Sequence, residues 1–233
     1  MSESDVVIVF QLGNSYPQDQ IIEDEILRRL PLSHVRYRQI LASYSRCIPF
    51  RCIATRLRTL RRVLAALGDR PVILVGRSSG ARVITKLAAE GLPQIRGVVC
   101  IGYPFRPPGS KLDPDRIDHL RLLETPTLIF QGRDDEYGGI SAPFDYALSP
   151  NIEFVSFPGR HDFPPEAFPW DELTRRMMDM ASRERQTTFD APPRQPLRPG
   201  PAKLADPAWW TDQRAIAVAT VRWLMRAVRR PGR

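Results

Sequence analysis

The chain has 233 residues, 42% of them hydrophobic, which suits one domain with a substantial buried core and excludes a chain that is disordered throughout. Its net charge is +8, but the arginines are scattered through stretches at 56–62, 175–185 and 222–233 that also carry apolar residues. This distribution indicates solvated helix faces, so no nucleic-acid partner is expected.

Short apolar runs divide the chain and predict the strands of a sheet. Four of them are continuously hydrophobic rather than alternating, which is typical of strands buried on both faces of a parallel sheet. These four runs cover residues 6–10, 72–75, 98–101 and 127–131. A fifth strand is predicted over 152–157 and a weaker one over 35–40. The sequence therefore predicts a mainly parallel sheet of about six strands.

Helical segments lie between the predicted strands. The pattern of apolar residues predicts helices over 19–30, 53–67, 79–89 and 114–123. Gly68 and Gly91 stand just past two of these helices, where glycine accepts the left-handed backbone that ends a helix. Because strand and helix alternate, we expect an α/β fold with an open sheet and right-handed crossovers.

The alternation of strand and helix stops after residue 163. Residues 166–183 are predicted as a helix, 186–207 as a proline-rich loop and 209–230 as a final helix, all within one domain over 1–233. The final helix has an apolar stripe and an arginine face, and packing on the sheet is preferred to lying on an anionic membrane. The aromatic and methionine residues of 163–185 are compatible with a lid, although core packing is commoner. No insertion is large enough for a separate cap domain.

Cysteines and terminal sequence limit the cellular context. Cys47, Cys52 and Cys100 lack C-x-x-C spacing, which argues against a disulfide framework and against a zinc site. No apolar run approaches the roughly 18 residues that a membrane-spanning helix needs. The first ten residues have an acidic start and no basic segment, so no secretory signal is predicted and a cytoplasmic location is expected. No metal or organic cofactor is expected.

The motif Gly76-Arg77-Ser78-Ser79-Gly80 joins a predicted buried strand to a predicted helix. In a strand–turn–helix elbow the nucleophile takes a strained backbone conformation, so the residues two before and two after it must be small. Gly76 and Gly80 occupy those positions, which makes Ser78 the candidate nucleophile. A plain glycine-containing turn would have the same sequence, so the interpretation depends on partners elsewhere in the chain.

A serine nucleophile needs a general base and a carboxylate that orients the base. Among the three histidines, His161 follows the last predicted strand, at the carboxyl edge where such folds bind ligands. His34 precedes a strand and His119 lies in an amphipathic segment, so a structural role is simpler for both. Asp135 follows another predicted strand and is the candidate acid, although Asp-Asp after a strand is also a common turn. The order Ser78, Asp135, His161 is the one expected of α/β-hydrolases.

Four motifs together resemble the α/β-hydrolase superfamily over about residues 5–165. They are GRSSG at 76–80, IGYP at 101–104 followed by PPG at 107–109, QGRDD at 131–135 with Gly138, and GRH at 159–161. Within the superfamily the likeness is to a small dienelactone-hydrolase-like subgroup. A dienelactone hydrolase proper carries a cysteine nucleophile, whereas this chain has Ser78.

The resemblance also implies an oxyanion hole built from backbone N–H groups. One donor is Ser79, the residue after the nucleophile, and the second comes from the loop after the first strand, where Leu12 or Gln11 is available. Many family members carry His-Gly-x-Gly in that loop, whereas this chain reads FQLGN at residues 10–14.

These residues predict a serine hydrolase that cleaves an ester or thioester of a small or medium acyl substrate through an acyl-enzyme. The alternative is a non-catalytic protein with the same fold that acts as an interaction module, which the basic surface, the departure at residues 10–14 and the proline-rich segment 186–207 favour. A small-molecule acyl substrate is the expected partner. The sequence predicts neither acyl specificity nor oligomeric state.

Overall fold

The computed structural model describes residues 6–42, 52–163 and 165–182. Cys47, the predicted proline-rich loop at 186–207 and the predicted helix at 209–230 lie outside these residues. A single domain over 1–233 therefore stays a prediction. Within the described residues, no helix combines the length and the apolar composition that a membrane span requires.

Six parallel strands form one sheet. Their bounds are β1 Val7–Gln11, β2 Ser33–Val35, β3 Val72–Arg77, β4 Ile95–Ile101, β5 Thr127–Gly132 and β6 Ile152–Phe157. The strands lie in the order β2-β1-β3-β4-β5-β6, and every neighbouring pair is parallel. All residues of β1, β3 and β5 are buried, as their continuous apolar runs indicate. The predicted α/β fold with an open parallel sheet of about six strands is confirmed.

Helices connect the strands and flank the sheet. Their bounds are α1 Gln20–Arg29, α2 Tyr37–Ala42, α3 Ile53–Leu67, α4 Ser79–Ala88, α5 Pro114–Ile117, α6 Ala142–Asp145 and α7 Trp170–Ser182, with a 3₁₀ helix at Asp118–Leu122. The bounds of α3 are those predicted, and α1 and α4 end within one residue of their predictions. Gly68 and Gly91 have φ angles of 62° and 72°, the left-handed backbone expected beyond a helix end.

The weaker strand that was predicted over 35–40 is present, but its predicted bounds are wrong, because β2 ends at Val35 and α2 begins at Tyr37. The Gln39 side chain accepts a hydrogen bond from the Arg36 amide at 2.7 Å, which satisfies a backbone donor just before the helix. Tyr37 and Ile40 are both buried and lie three residues apart, as on one face of a helix. The helical spacing of the buried residues therefore outweighs the strand propensity of the segment.

Helix α7 buries its apolar face against β3, β4 and α1. Leu173 and Met177 are fully buried. A Cβ atom added to Gly97 in β4 would lie 2.4 Å from the Met180 sulfur, which shows how closely the helix and the strand approach. Over the described part of 163–185, the methionine stripe is therefore core, and the lid interpretation is not supported there.

Candidate active site

Ser78 lies at the turn between β3 and α4. Its φ of 49° and ψ of −120° are a conformation that residues with a side chain rarely adopt. A Cβ atom on Gly76 would lie 2.8 Å from the Ala81 nitrogen, and one on Gly80 would lie 1.7 Å from the Gln11 carbonyl oxygen. Close backbone approach on both sides of the serine therefore requires glycine at both positions, which is the geometry of an elbow.

Two loops at the carboxyl edge of the sheet bring a histidine and a carboxylate to this turn. His161 follows β6 and Asp135 follows β5. Ser78 Oγ lies 2.9 Å from His161 Nε2, and His161 Nδ1 lies 2.9 Å from Asp135 Oδ2. The carboxylate accepts a hydrogen bond from Nδ1–H, which leaves the Nε2 lone pair facing the serine hydroxyl. The three side chains singled out in the sequence thus form one hydrogen-bonded series.

The Asp135 carboxylate is held by more than the imidazole. Its side chain is 0% exposed. Its Oδ2 also accepts from Gln131 Nε2 at 2.7 Å, and its Oδ1 accepts from the Tyr137 amide at 2.8 Å. Asp134, the other member of the Asp-Asp pair, is exposed. Three donors and burial therefore fix the orientation of the carboxylate towards His161.

Arg77 is a neighbour of the histidine that the sequence did not predict. Its side chain is buried, with Nη1 3.3 Å from His161 Nε2 and Nη2 donating to the His161 carbonyl oxygen. Its guanidinium carbon lies 5.9 Å from the centroid of the Phe163 ring. Desolvation lowers the pKa of Arg77, whereas the charges of Asp19 and Asp135 act to raise it. Arg77 therefore anchors the loop that carries His161 to the elbow.

An aromatic ring and a glycine enclose the imidazole. The ring centroids of Tyr137 and His161 are 4.3 Å apart. A Cβ atom on Gly102 would lie 2.7 Å from Arg77 Nη1 and 3.5 Å from His161 Cε1, and the φ of Gly102 is 62°. Only glycine combines that backbone conformation with that little space. The close approach explains the glycine of the IGYP motif, Gly102. Nothing in the sequence indicated that Tyr137 would pack against His161.

The other side of Ser78 faces the end of β1. Ser79 is the first residue of α4, so its N–H is one of the first-turn donors without a partner inside the helix. A Cβ atom on Gly13 would lie 3.2 Å from the Ser78 Cβ atom, so the loop after β1 runs beside the nucleophile. The Leu12 side chain is fully buried, and its carbonyl oxygen accepts a hydrogen bond from Arg56. The assignment of Leu12 or Gln11 as second oxyanion donor stays a prediction.

Asp19 adds a second buried carboxyl group on this side of the site. It is the N-cap residue of α1, yet its side chain makes no capping hydrogen bond. Among the described residues its Oδ2 is buried without a hydrogen-bond partner, and a Cβ atom on Gly13 would lie 3.3 Å from it. Burial raises its pKa, whereas the Arg77 charge, His161 and the nearby Gly13 backbone act to lower it. An aspartate at a helix start is normally a cap, which is why the sequence did not predict this position.

Arg56 corrects the placement of arginines 56–62 on a solvated helix face, because its side chain is fully buried. It stands four, seven and eleven residues before Leu60, Val63 and Leu67, which are all buried on the same face of α3. The helical spacing therefore turns Arg56 towards the sheet. The sequence already shows this spacing. Because a charged residue is rarely buried, Arg56 was nevertheless predicted to lie on the solvated face of the helix.

The remaining two histidines have hydrogen-bond partners away from the Ser78 turn. His34 Nδ1 lies 3.0 Å from the Leu32 carbonyl oxygen. His119 Nε2 lies 2.9 Å from Thr85 Oγ1, and burial lowers the pKa of His119 to about 3. In the part of the chain that the structure describes, no group of three or more His, Cys, Asp or Glu side chains could hold a metal ion.

A parallel sheet with a serine at a strand-to-helix turn, and with a carboxylate and a histidine on the loops after its last strands, defines the α/β-hydrolase class of protein. A family model described as alpha/beta hydrolase domain matches residues 37–188, more than half of the chain. The chain belongs to the α/β-hydrolase family.

Solved structures agree on the fold. A protein described as a YdeN-like hydrolase from Pectobacterium atrosepticum is 22% identical, with a TM-score of 0.56 over 76% of this chain and 91% of that chain. Est1E from Butyrivibrio proteoclasticus is 15% identical, with a TM-score of 0.54 over 77% and 89% of the two chains. An alpha-beta serine hydrolase homologue from Coxiella burnetii is 16% identical, with a TM-score of 0.55 over 76% and 85%. At these identities the likeness concerns the fold alone.

A search of curated protein sequences gives no match. The dienelactone-hydrolase-like subgroup therefore stays a prediction, while membership of the wider family is established by the family model.

Proposed function

We propose that this protein is a serine hydrolase that cleaves an ester or thioester of a small or medium acyl substrate. The observation that carries the proposal is the series in which the Ser78 hydroxyl, the His161 imidazole and the Asp135 carboxylate are joined by two contacts of 2.9 Å. A serine beside a histidine becomes a nucleophile when the imidazole is held in the tautomer that can take its proton, and the buried carboxylate supplies that hold.

The chemistry proceeds in two matched steps. Ser78 Oγ bonds to the substrate carbonyl carbon while His161 Nε2 takes the hydroxyl proton, and the carbonyl electron pair moves onto oxygen. The imidazolium then gives this proton to the leaving alkoxide or thiolate as its bond to carbon breaks, which leaves an acyl-serine. Water attacks the acyl-serine in the same way, with His161 as base, and releases the acid. The Asp135 carboxylate orients the imidazole and stabilises the imidazolium in both steps.

Negative charge on the carbonyl oxygen needs donors that are already in place. The Ser79 N–H at the start of α4 is the first donor in this proposal, and the helix dipole favours negative charge at the same point. The second donor is the backbone N–H of Leu12 on the loop beside Ser78. The proposed mechanism uses no metal ion. The proposal also places the protein in the cytoplasm.

Labelling with a fluorophosphonate probe tests the proposal directly. We expect the purified chain to be labelled at Ser78 and to hydrolyse short p-nitrophenyl esters. Ser78→Ala should lose the label and lower kcat by about 10³-fold or more, because the nucleophile is removed while the fold is kept. Ser141→Ala is the matched control, since Ser141 is an exposed serine that contacts Asp145.

The alternative is a non-catalytic interaction module, and one contact favours it. Arg77 Nη1 lies 3.3 Å from His161 Nε2, the nitrogen that Ser78 also approaches. A neutral imidazole has one lone pair there, so two donors compete for it. A folded chain that stays unlabelled at high probe concentration, and that hydrolyses no ester of the series, would contradict the hydrolase proposal and favour this alternative.

A further inference from the structure

Arg56 is a fully buried arginine on α3, directly behind the elbow. Its guanidinium carbon lies 5.5 Å from the centroid of the Tyr37 ring, so the ring packs against the charged group. A buried cation costs free energy unless its N–H groups find acceptors. The acceptors of Arg56 therefore indicate what the fold gains by burying it.

The Arg56 guanidinium joins two separate backbone segments. Nη1 donates to Ser79 Oγ at 2.9 Å, and Nη2 donates to the Leu12 carbonyl oxygen. With the Gln11 amide turned so that both groups are satisfied, Gln11 Oε1 accepts from Nε at 2.8 Å and from Nη2 at 2.9 Å. One rigid, planar fork thus holds the end of β1 and the start of α4 at a fixed separation.

These two segments carry the backbone donors that the proposed function assigns to the oxyanion. The strand end and the helix already touch, since a Cβ atom on Gly80 would lie 1.7 Å from the Gln11 carbonyl oxygen. Leu12 lies just beyond the last residue of β1, so the sheet ladder does not by itself fix its orientation. A side chain that bonds both Leu12 and Ser79 supplies the missing constraint.

We propose that Arg56 is a positioning residue for the oxyanion side of the active site, an inference that rests on the proposed function. It holds the Leu12 and Ser79 segments in the geometry that the transition state needs. It also places a positive charge behind the point at which the substrate oxygen becomes negative. Both effects are larger in the transition state than in the substrate complex, so they act on kcat more than on KM.

Two variants divide this role. Arg56→Lys keeps the charge but loses the fork, and we expect kcat to fall by about 10- to 100-fold, the range expected for a misplacement near 1 Å. Ser79→Ala removes one acceptor while keeping the Ser79 backbone N–H and the buried charge, and we expect a loss of about 10-fold. Since Arg56→Lys and Ser79→Ala break the same contact, the double variant should lose less than the product of the two single losses.

Arg61→Lys is the matched control on the same helix. Arg61 pairs with Glu90 at 2.6 Å, and its side chain is 47% exposed. We expect its kcat and KM to equal those of the unmodified chain, because an exposed ion pair contributes little.

The measurements are kcat and KM on a short p-nitrophenyl ester and the inhibition constant of a trifluoromethyl ketone. Ser78 Oγ adds to the ketone carbon, His161 takes the hydroxyl proton, and the ketone oxygen becomes an oxyanion without loss of a leaving group. We expect the inhibition constant to rise in parallel with the loss of kcat, by about 10-fold or more in Arg56→Lys. A purely structural role would lower the urea midpoint and leave the kcat of the folded fraction unchanged.

The outcomes separate this inference from the proposed function. If the unmodified chain is labelled at Ser78 and the folded variants at positions 56 and 79 keep kcat within twofold, the positioning role is overturned and the hydrolase proposal stands. If the unmodified chain is neither labelled nor active, the proposed function fails, and the inference fails with it. If Arg56→Lys does not fold, Ser79→Ala decides, with Asn14→Ala as its control, because the Ser79 hydroxyl also donates to Asn14 Oδ1 at 3.3 Å.

Discussion

Replacing Gly80 by alanine adds one methyl group at the point where the elbow touches the end of β1. The added carbon would lie 1.7 Å from the Gln11 carbonyl oxygen, 2.7 Å from its carbonyl carbon and 2.8 Å from the Leu12 carbonyl oxygen. All three obstructing atoms are backbone, so no change of side-chain rotamer removes the overlap. The strand end and the helix would have to move apart by more than 1 Å to restore ordinary contact distances.

Helix propensity and steric overlap predict opposite signs for this substitution. Gly80 is inside α4, where alanine is favoured over glycine by about 1 kcal/mol. Overpacking costs about 1–3 kcal/mol, and the upper end applies here because the overlap is with backbone. We therefore expect a net destabilisation of about 2 kcal/mol. Since the same movement separates the Ser79 and Leu12 segments, we also expect kcat to fall by about 100-fold.

Urea unfolding and ester hydrolysis measure the two effects. Gly97→Ala is the control, because the atom nearest to its added carbon is the Met180 sulfur, at 2.4 Å, in a flexible side chain that can repack. We expect the control to lose less stability and to keep its kcat. A Gly80→Ala variant that is as stable as the unmodified chain, or more stable, would refute the close backbone approach on which this reasoning depends.

Two further substitutions test the electrostatics. Burial raises the pKa of Glu23 from 4.5 to about 7, so its contribution to stability is full below pH 4.5 and is lost as the pH rises through 7. Between pH 4.5 and pH 8, the free energy of unfolding of Glu23→Gln, measured in urea, should therefore rise by up to about 3 kcal/mol relative to that of the unmodified chain. A difference between the two chains that does not change with pH would contradict this. Asp135→Asn offers an N–H₂ group either to the Tyr137 amide or to Gln131 and His161, all of which are donors in the present arrangement. We expect kcat to fall by about 10³- to 10⁴-fold with the fold retained, and kinetics within 10-fold of the unmodified chain would exclude the orienting role.

The fold could be predicted because the strands of a parallel sheet are buried on both faces and therefore read as continuous apolar runs. β1 and β5 are buried along their whole length, and both were predicted within one residue of their observed bounds. β6, which is only partly buried, and α3 were predicted at their observed bounds. The bounds predicted for the strand over 35–40 were wrong because a three-residue edge strand and a short helix follow each other there, each too short for its periodicity to be read. The helix predicted over 166–183 begins only at Trp170, directly after Pro169, which cannot donate to a preceding helical turn.

The candidate site was predictable where chemistry and position coincide. Ser78, Asp135 and His161 each stand at the end of a predicted strand, and parallel strands end at one edge of the sheet. Arg77 and Arg56 were not predicted, because a single sequence shows an arginine without showing what surrounds it. Two of their acceptors, the carbonyl oxygens of His161 and Leu12, are backbone atoms, which carry no sequence identity.

Arg77 and Arg56 are buried and hold loops whose positions the sheet does not fix. The ladder of β1, β3 and β4 fixes the strand that leads to Ser78, but the loops carrying His161 and Leu12 lie beyond the ladder. Apolar packing is non-directional and sets a loop's position less sharply than several hydrogen bonds from one planar group. Burying a guanidinium is costly, so such an anchor contributes more to the geometry of the loops than to the stability of the fold. Two of the positive charges that give this chain its net charge of +8 therefore serve the interior and not the surface.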